Sequence, residues 1–145
     1  MNTEDADAIF FMETASHLGY LGYTITPPPA GAAWYTASHP SRWTFVFSRW
    51  RGFLWLRCVV NLPEGVTSDS KQSLERINDL RGPARLVNYH LAQDENGEHV
   101  VEAAAFLPIA YDRQSFGDWI LQWIEETARI SASLFRGLNH EEKAS

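Results

Sequence analysis

Cysteine is nearly absent from this chain: Cys58 stands alone among 145 residues. A lone cysteine excludes an internal disulfide framework and any CxxC redox or zinc motif. No apolar run approaches the roughly 18 residues that a membrane-spanning helix needs, so no span and no membrane partner are expected. The N-terminal stretch MNTEDADAIFFMETA holds no Lys or Arg and so lacks the basic start of a secretory signal. Cytoplasmic location is the expectation. Basic residues are in the minority, with 12 Lys and Arg against 18 Asp and Glu, which gives a net charge of −6 and a pI of about 5.3. Nucleic acid is therefore not expected as the principal partner, because phosphate binding needs concentrated basic charge.

Signatures of chemistry are missing as well. No HExxH, CxxC, EF-hand loop, GxSxG, GxGxxG or P-loop occurs. The histidines are scattered: His17 on a predicted helix, His39 in a loop, His90 and His99 on a predicted hairpin, His140 near the C-terminus. In that hairpin His90 is expected near Ala103 or Val101, and His99 near Asp94. A zinc site needs about three or four convergent ligands, and no such set is in view. Asp94, Glu95 and Glu98 read as a solvated turn, since calcium needs about six oxygens. Cys58 falls on a predicted core face and behaves as a small hydrophobe. A non-enzymatic protein without metal or cofactor is expected.

What the chain has is aromatic content, with 6 Trp concentrated enough that several must sit at edges or interfaces. The length fits one domain, expected over 1–138, with a polar tail at 139–145. The organising stretch is Arg42–Leu62, RWTFVFSRWRGFLWLRCVVNL. Two aromatic runs flank Arg51-Gly52, which reads as a hairpin turn. A two-residue loop there sets Phe47 opposite Leu56, Phe45 opposite Cys58 and Trp43 opposite Val60, and a four-residue loop would shift the pairing by two with the same residues on each face. Side chains alternate along a strand. One face therefore carries Trp43, Phe45, Phe47, Leu54, Leu56, Cys58 and Val60, a core. The other carries Val46, Trp50, Phe53, Trp55 and Val59, with Thr44, Ser48, Arg57 and Asn61 between them. That second face is too aromatic for plain wetted surface. Either a loop, the Pro-rich rim or a second subunit covers it, or it binds a protein partner through Val46, Trp50, Phe53, Trp55 and Arg57.

Around this hairpin the pattern predicts a helix over Thr3–Gly19, with Thr3 as N-cap and Ala8, Phe11, Met12, Ala15 and Leu18 as its apolar stripe. A short β-prone segment at Tyr20–Thr26 and a possible strand at Ala32–Ser38 flank Pro27-Pro28-Pro29, a rigid rim connection. A second helix is expected over Asp69–Leu80, capped by Thr67 or Ser68, with Leu74, Ile77, Asn78 and Leu80 on its apolar side. Ala84–Gln93 and Glu98–Leu107 read as a second hairpin around Asp94-Glu95-Asn96-Gly97. Its better apolar face would carry Val87, Tyr89, Leu91, Val100, Ala104 and Phe106. A long last helix runs from an Asp112 N-cap to Gly137. Phe116, Trp119, Ile120, Trp123, Ile124, Thr127, Ile130, Ser131 and Leu134 lie on its inner face, and Asp118, Gln122, Glu125, Glu126 and Arg129 on its outer face.

The strand pair WTFVF…FLWLRCVV, the segment SLERINDLRGPARLVNYHL, the Asn-Gly turn, VVEAAAFLPI and the closing amphipathic helix together resemble the YbjN family. That family lies within the type III secretion chaperone-like superfamily. The resemblance spans about Trp43–Ile130. It implies an α+β, two-layer fold, with a twisted antiparallel sheet of two hairpins plus a rim strand, and the first and last helices on one face. It also implies a homodimer, with Leu74 and Ile77 of the second helix in the contact, and a chaperone-like or regulatory role toward a protein partner. It brings no active-site residues. The Trp-rich hairpin and the Pro-rich rim depart from the family pattern. The competing reading is a small-ligand-binding domain or enzyme in which Trp119, Trp123 and Tyr89 line a pocket.

Overall fold

The computed structural model describes residues 3–108 and 112–135. Its elements are α1 (Thr3–Tyr20), β1 (Thr24–Thr26), β2 (Tyr35–His39), β3 (Arg42–Trp50), β4 (Phe53–Asn61), α2 (Lys71–Arg81), β5 (Asn88–Gln93), β6 (His99–Pro108) and α3 (Arg113–Ile130). A π turn, Ser131–Phe135, continues α3. The strands form one antiparallel sheet in the order β1-β2-β3-β4-β6-β5. The expected α+β class and sheet architecture hold. The Thr3 cap, Gly137 and the polar tail lie outside the described side chains and residues.

The first hairpin takes the two-residue loop, the shorter of the two its sequence allows. Trp50 pairs with Phe53 and Phe47 with Leu56 across the two residues Arg51 and Gly52. Both have positive φ, 47° and 82°, the type I′ pattern that suits strand twist. The paired register ends at Val46 and Arg57, so the expected pairs Phe45–Cys58 and Trp43–Val60 do not form part of it. Trp43 instead packs against Phe135 of the π turn, ring centroids 5.8 Å apart. β4 pairs along its whole length with β6, from Phe53/Pro108 to Asn61/Val100.

The second hairpin corrects the expected faces. Gln93 pairs with His99, so the register leaves the five residues Asp94–Glu98 in the loop. This odd count puts Tyr89 opposite Ala103 and Leu91 opposite Val101. A one-residue shift sends every side chain to the other face. Val101, Ala103, Ala105 and Leu107 thus join the core, while Ala104 and Phe106 point the other way. The Asp94 carboxylate shapes the loop, its Oδ1 accepting the Asn96 and Glu98 backbone N–H groups at 2.9 Å each. β5 starts at Asn88 rather than near Ala84, because the backbone before it is bound elsewhere.

That binding comes from Glu126, the clearest miss among the helix assignments. Expected on the outer face of α3, it is fully buried. Its carboxylate accepts the backbone N–H groups of Arg85 (2.9 Å), Leu86 (3.2 Å) and Val87 (3.2 Å), and the Gln122 side-chain amide at 2.8 Å. Successive N–H groups curled around one anion form a backbone nest. The Tyr89 hydroxyl donates to the Glu126 carbonyl at 2.6 Å, which ties β5 to α3. Otherwise α3 follows its pattern. Asp112 caps it through the Gln114 N–H, and Phe116, Ile120, Trp123, Thr127, Ile130 and Leu134 face inward.

Both α1 and α3 pack on the sheet face that carries Phe45, Phe47, Leu54 and Leu56. Phe11 stacks on Phe47, Phe10 meets Phe116 edge-on, and Trp123 meets Phe45 edge-on. The stripe of α1 is rotated from expectation. Phe10, Thr14 and Leu18 are buried, whereas Ala8 and Met12 are exposed. The apolar run Ile9–Met12 covers all sides of the helix, so spacing alone does not fix its phase. α2 starts two residues later than predicted, with Ser70 as N-cap accepting the Ser73 N–H. Its buried side is Ser73, Ile77 and Leu80. Arg76 donates to the Leu134 carbonyl, so α2 leans on the π turn.

Candidate functional site

The sheet face opposite the helices is the candidate site. The register lines up Ser48, Trp55 and Phe106 across β3, β4 and β6, with Trp50 and Phe53 at the hairpin end. The rings form one layer. Trp55 and Phe106 stack with centroids 5.6 Å apart and planes 20° from parallel, and Trp50 lies 5.6 Å from Phe106. Trp50 (44%), Phe53 (41%), Phe106 (43%) and Val59 (44%) remain exposed. Large rings left in water in this number form a contiguous apolar patch, a mark of interaction surfaces. Arg51 in the turn lies over the Trp50 ring, 4.9 Å from its centroid, a cation–π contact that steadies the exposed indole.

The Pro-rich rim covers part of this face. Trp34, at its end, stands edge-on to Trp55 with centroids 4.7 Å apart. The buried Ser48 hydroxyl donates to the Ala33 carbonyl at 2.9 Å. Val46 and Trp55 are consequently half-buried, while Trp50 and Phe53 are not.

Arg57, expected here as a contact residue, is engaged within the chain. Its Nε donates to Glu102 Oε1 at 2.6 Å and its Nη2 to Oε2 at 3.1 Å, a bidentate pair across β4 and β6. His90 Nε2 lies 3.3 Å from Glu102 Oε2, since the register sets His90 opposite Glu102 rather than Ala103 or Val101. The hydrogen-bonded Arg57 guanidinium holds the Glu102 carboxyl below the ordinary carboxylate range, against the opposing effect of burial. His99 sits opposite Gln93, the neighbour of Asp94. Its Nδ1 accepts the Ser68 backbone N–H at 2.9 Å, closing the loop before α2.

The sequence reading thus located Val46, Trp50, Phe53, Trp55 and Arg57 on one face, and the structure brings them together. It missed Trp34 and Phe106. Phe106 was hidden by the odd loop length, and Trp34 by its place in a connection without strand periodicity. Leu74 is 49% exposed on α2, but Ile77 is 1% exposed and packed in its own core.

Among the described residues no group of three or more His, Cys, Asp or Glu is clustered to hold a metal. Cys58 lies under the opposite face, where burial pushes its thiol up to about 12. The Trp-lined pocket of the competing reading does not assemble. Trp123 is packed at 1% exposure against Phe45, and the Tyr89 hydroxyl is held by Glu126. A surface cleft of about 500 Å³ lies elsewhere, lined by Pro40–Trp43, Ile124, Thr127, Ala128 and Ser131.

No protein-family model matches the chain, and no curated protein matches it by sequence. Solved structures do. YbjN from E. coli, a candidate transcription regulator, superposes with a TM-score of 0.65 over 88% of this chain and 90% of its own, at 10% identity. The chain has the YbjN fold. A chain of the heterodimeric ExoU–SpcU complex from the type III secretion system of Pseudomonas aeruginosa matches at TM-score 0.49 and 19% identity. That match covers 76% of this chain and 89% of the other. The likeness to YbjN runs well past the Trp43–Ile130 stretch in which the sequence pattern shows it. None of the described helices is long and apolar enough to cross a membrane.

Proposed function

We propose that the protein is a non-enzymatic, chaperone-like or regulatory binding protein that takes a protein partner on the aromatic outer face of its sheet. The observation that carries this reading is the exposed layer of Trp50, Phe53 and Phe106 around the half-covered Trp55. Aromatic side chains dominate binding energy where they sit in the middle of a contact patch. The rim leaves these rings open while covering Trp55. A protein that needed this face only as core would cover them all. The fold shared with YbjN, a candidate regulator, fits the reading. Site-specific photo-crosslinking tests it. A photoreactive residue at position 50 should trap one or a few proteins in its native cell, and the same residue at the exposed Leu121 of α3 should not. No adduct from position 50, or the same adducts from both, would contradict it.

The homodimer belongs to the same proposal. With Ile77 committed to its own core, the α2 contact rests on Leu74, helped by neighbouring exposed surface. An isologous contact uses each such residue twice. Light scattering at about ten micromolar should give twice the 16.5 kDa of one chain, and Leu74→Asp should return it to one. A single-chain mass for the unaltered protein would remove the dimer.

A further inference from the structure

Trp55 carries an unusual burden. Its indole Nε1–H is shielded from solvent and has no hydrogen-bond partner. A buried donor left unmade is unfavourable and calls for a reason. The group lies in the outer-face aromatic layer beside Trp34, the ring that shields Trp55 from one side. The rim that delivers Trp34 is itself lightly attached. Pro27, Pro29, Ala30, Gly31, Ala32 and Ala33 are all exposed. Its C-terminal end is tied down by the Ser48 hydroxyl on the Ala33 carbonyl and by the Trp34–Trp55 ring contact. Pro27-Pro28-Pro29 fixes φ over its first half, which makes that half stiff. The chain then turns at Gly31, whose φ of +87° only glycine adopts freely, and the Ala32 N–H on the Pro29 carbonyl at 3.0 Å closes that turn.

We infer that segment 27–34 is a displaceable strap that occupies a peptide subsite on the outer face. The occupant that replaces it is an uncharged, apolar segment of a partner protein that makes a similar turn before an aromatic residue. That segment sets an aromatic side chain where Trp34 lies and a backbone carbonyl against the Trp55 Nε1–H. The chemistry is read from what sits there now, an uncharged, Pro-rich stretch that turns at Gly31, closed by the Ala32 N–H on the Pro29 carbonyl at 3.0 Å, and then reaches the Trp34 ring. It also follows from the one polar requirement the present arrangement leaves unmet, a neutral acceptor. The inference rests on the outer face being the binding face and adds how that face is kept covered until the partner arrives. Opening of the strap is a minor-state equilibrium that a better-bonded segment shifts.

Hydrogen exchange of the indole N–H groups, read by NMR on the whole chain, tests the strap without any partner. Trp123 Nε1–H is also buried and unpartnered, but in the core, and reports global opening. Trp55 Nε1–H should exchange at least about 100-fold faster than Trp123 Nε1–H, by local opening. Ser48→Ala, which frees Ala33, should speed Trp55 further and leave Trp123 unchanged. Equal rates for the two indoles would overturn the strap. The subsite is tested on Trp34→Ala with the synthetic peptide acetyl-PPPAGAAW-amide as probe. At about 5 mM, suited to a weak single-anchor contact, the peptide should slow Trp55 exchange at least tenfold and shift its indole resonance. No slowing would overturn the subsite, and so would slowing that depends on protein concentration without peptide, because a second copy would then be the occupant. Failure of the wider reading looks different: position 50 then traps no partner, whatever the Trp55 exchange rate.

Discussion

Trp123→Ala should lower stability by about 3–5 kcal/mol, the range for removing a fully buried large aromatic side chain. The ring is 1% exposed and meets Phe45 edge-on with centroids 5.6 Å apart, at the junction of α3 with β3. Its removal leaves a cavity bounded by strand and helix, two elements that collapse poorly toward one another. The loss belongs to packing, because the indole N–H makes no hydrogen bond that the substitution would break. Denaturant unfolding reads the change directly. A loss under about 1 kcal/mol would place Trp123 on the surface and reverse the phase of α3.

Glu126→Ala should cost about 3 kcal/mol or more, a large effect for a residue that sequence reading placed in solvent. The carboxylate holds three consecutive backbone N–H groups, from Arg85, Leu86 and Val87, just before β5 begins. Hydrogen bonds to a charged group are worth about 1.5–3 kcal/mol each, and a donor stranded in the interior costs about 1–3. Exposed Arg85 can regain a bond to solvent, whereas Val87 is buried and cannot. Glu126→Gln keeps an acceptor and should lose clearly less. Amide exchange at Val87 should rise in the alanine variant before exchange in β4 does. Unchanged stability in Glu126→Ala would mean that the nest does not hold the start of β5.

The two hairpins explain what was legible in the sequence. Arg51-Gly52 is a two-residue turn, so alternation carries straight across it, and both faces of β3 and β4 follow from spacing alone. Asp94–Glu98 looks like an Asn-Gly turn but closes through the Asp94 carboxylate as a five-residue loop. One residue too many inverts β6, and Phe106 moves from expected core to the outer aromatic layer. Glu126 was readable in principle. It falls three residues after Trp123 and four before Ile130, inside the apolar stripe, and a charge at that spacing asks for a buried partner. The partners are backbone N–H groups about forty positions earlier in the chain, which no local pattern announces. Trp34 was unreadable for a similar reason, since its contact with Trp55 follows from the sheet order and not from the Pro-rich segment itself.

On the function proposed, the partner binds the outer aromatic face, and Trp50 and Phe53 lie within its contact. The most direct measurement is the affinity of the crosslinked partner, once purified, for Trp50→Ala and Phe53→Ala beside the control Leu121→Ala, all three with unfolding curves. Both rings are more than 40% exposed and contribute little to the core, so folding should change little. Loss of a central aromatic anchor is expected to weaken binding by about 2 kcal/mol, roughly thirtyfold, for at least one of the two, and Leu121→Ala should bind as the unaltered protein does. Equal affinity in all three variants would rule out the outer face as the binding surface.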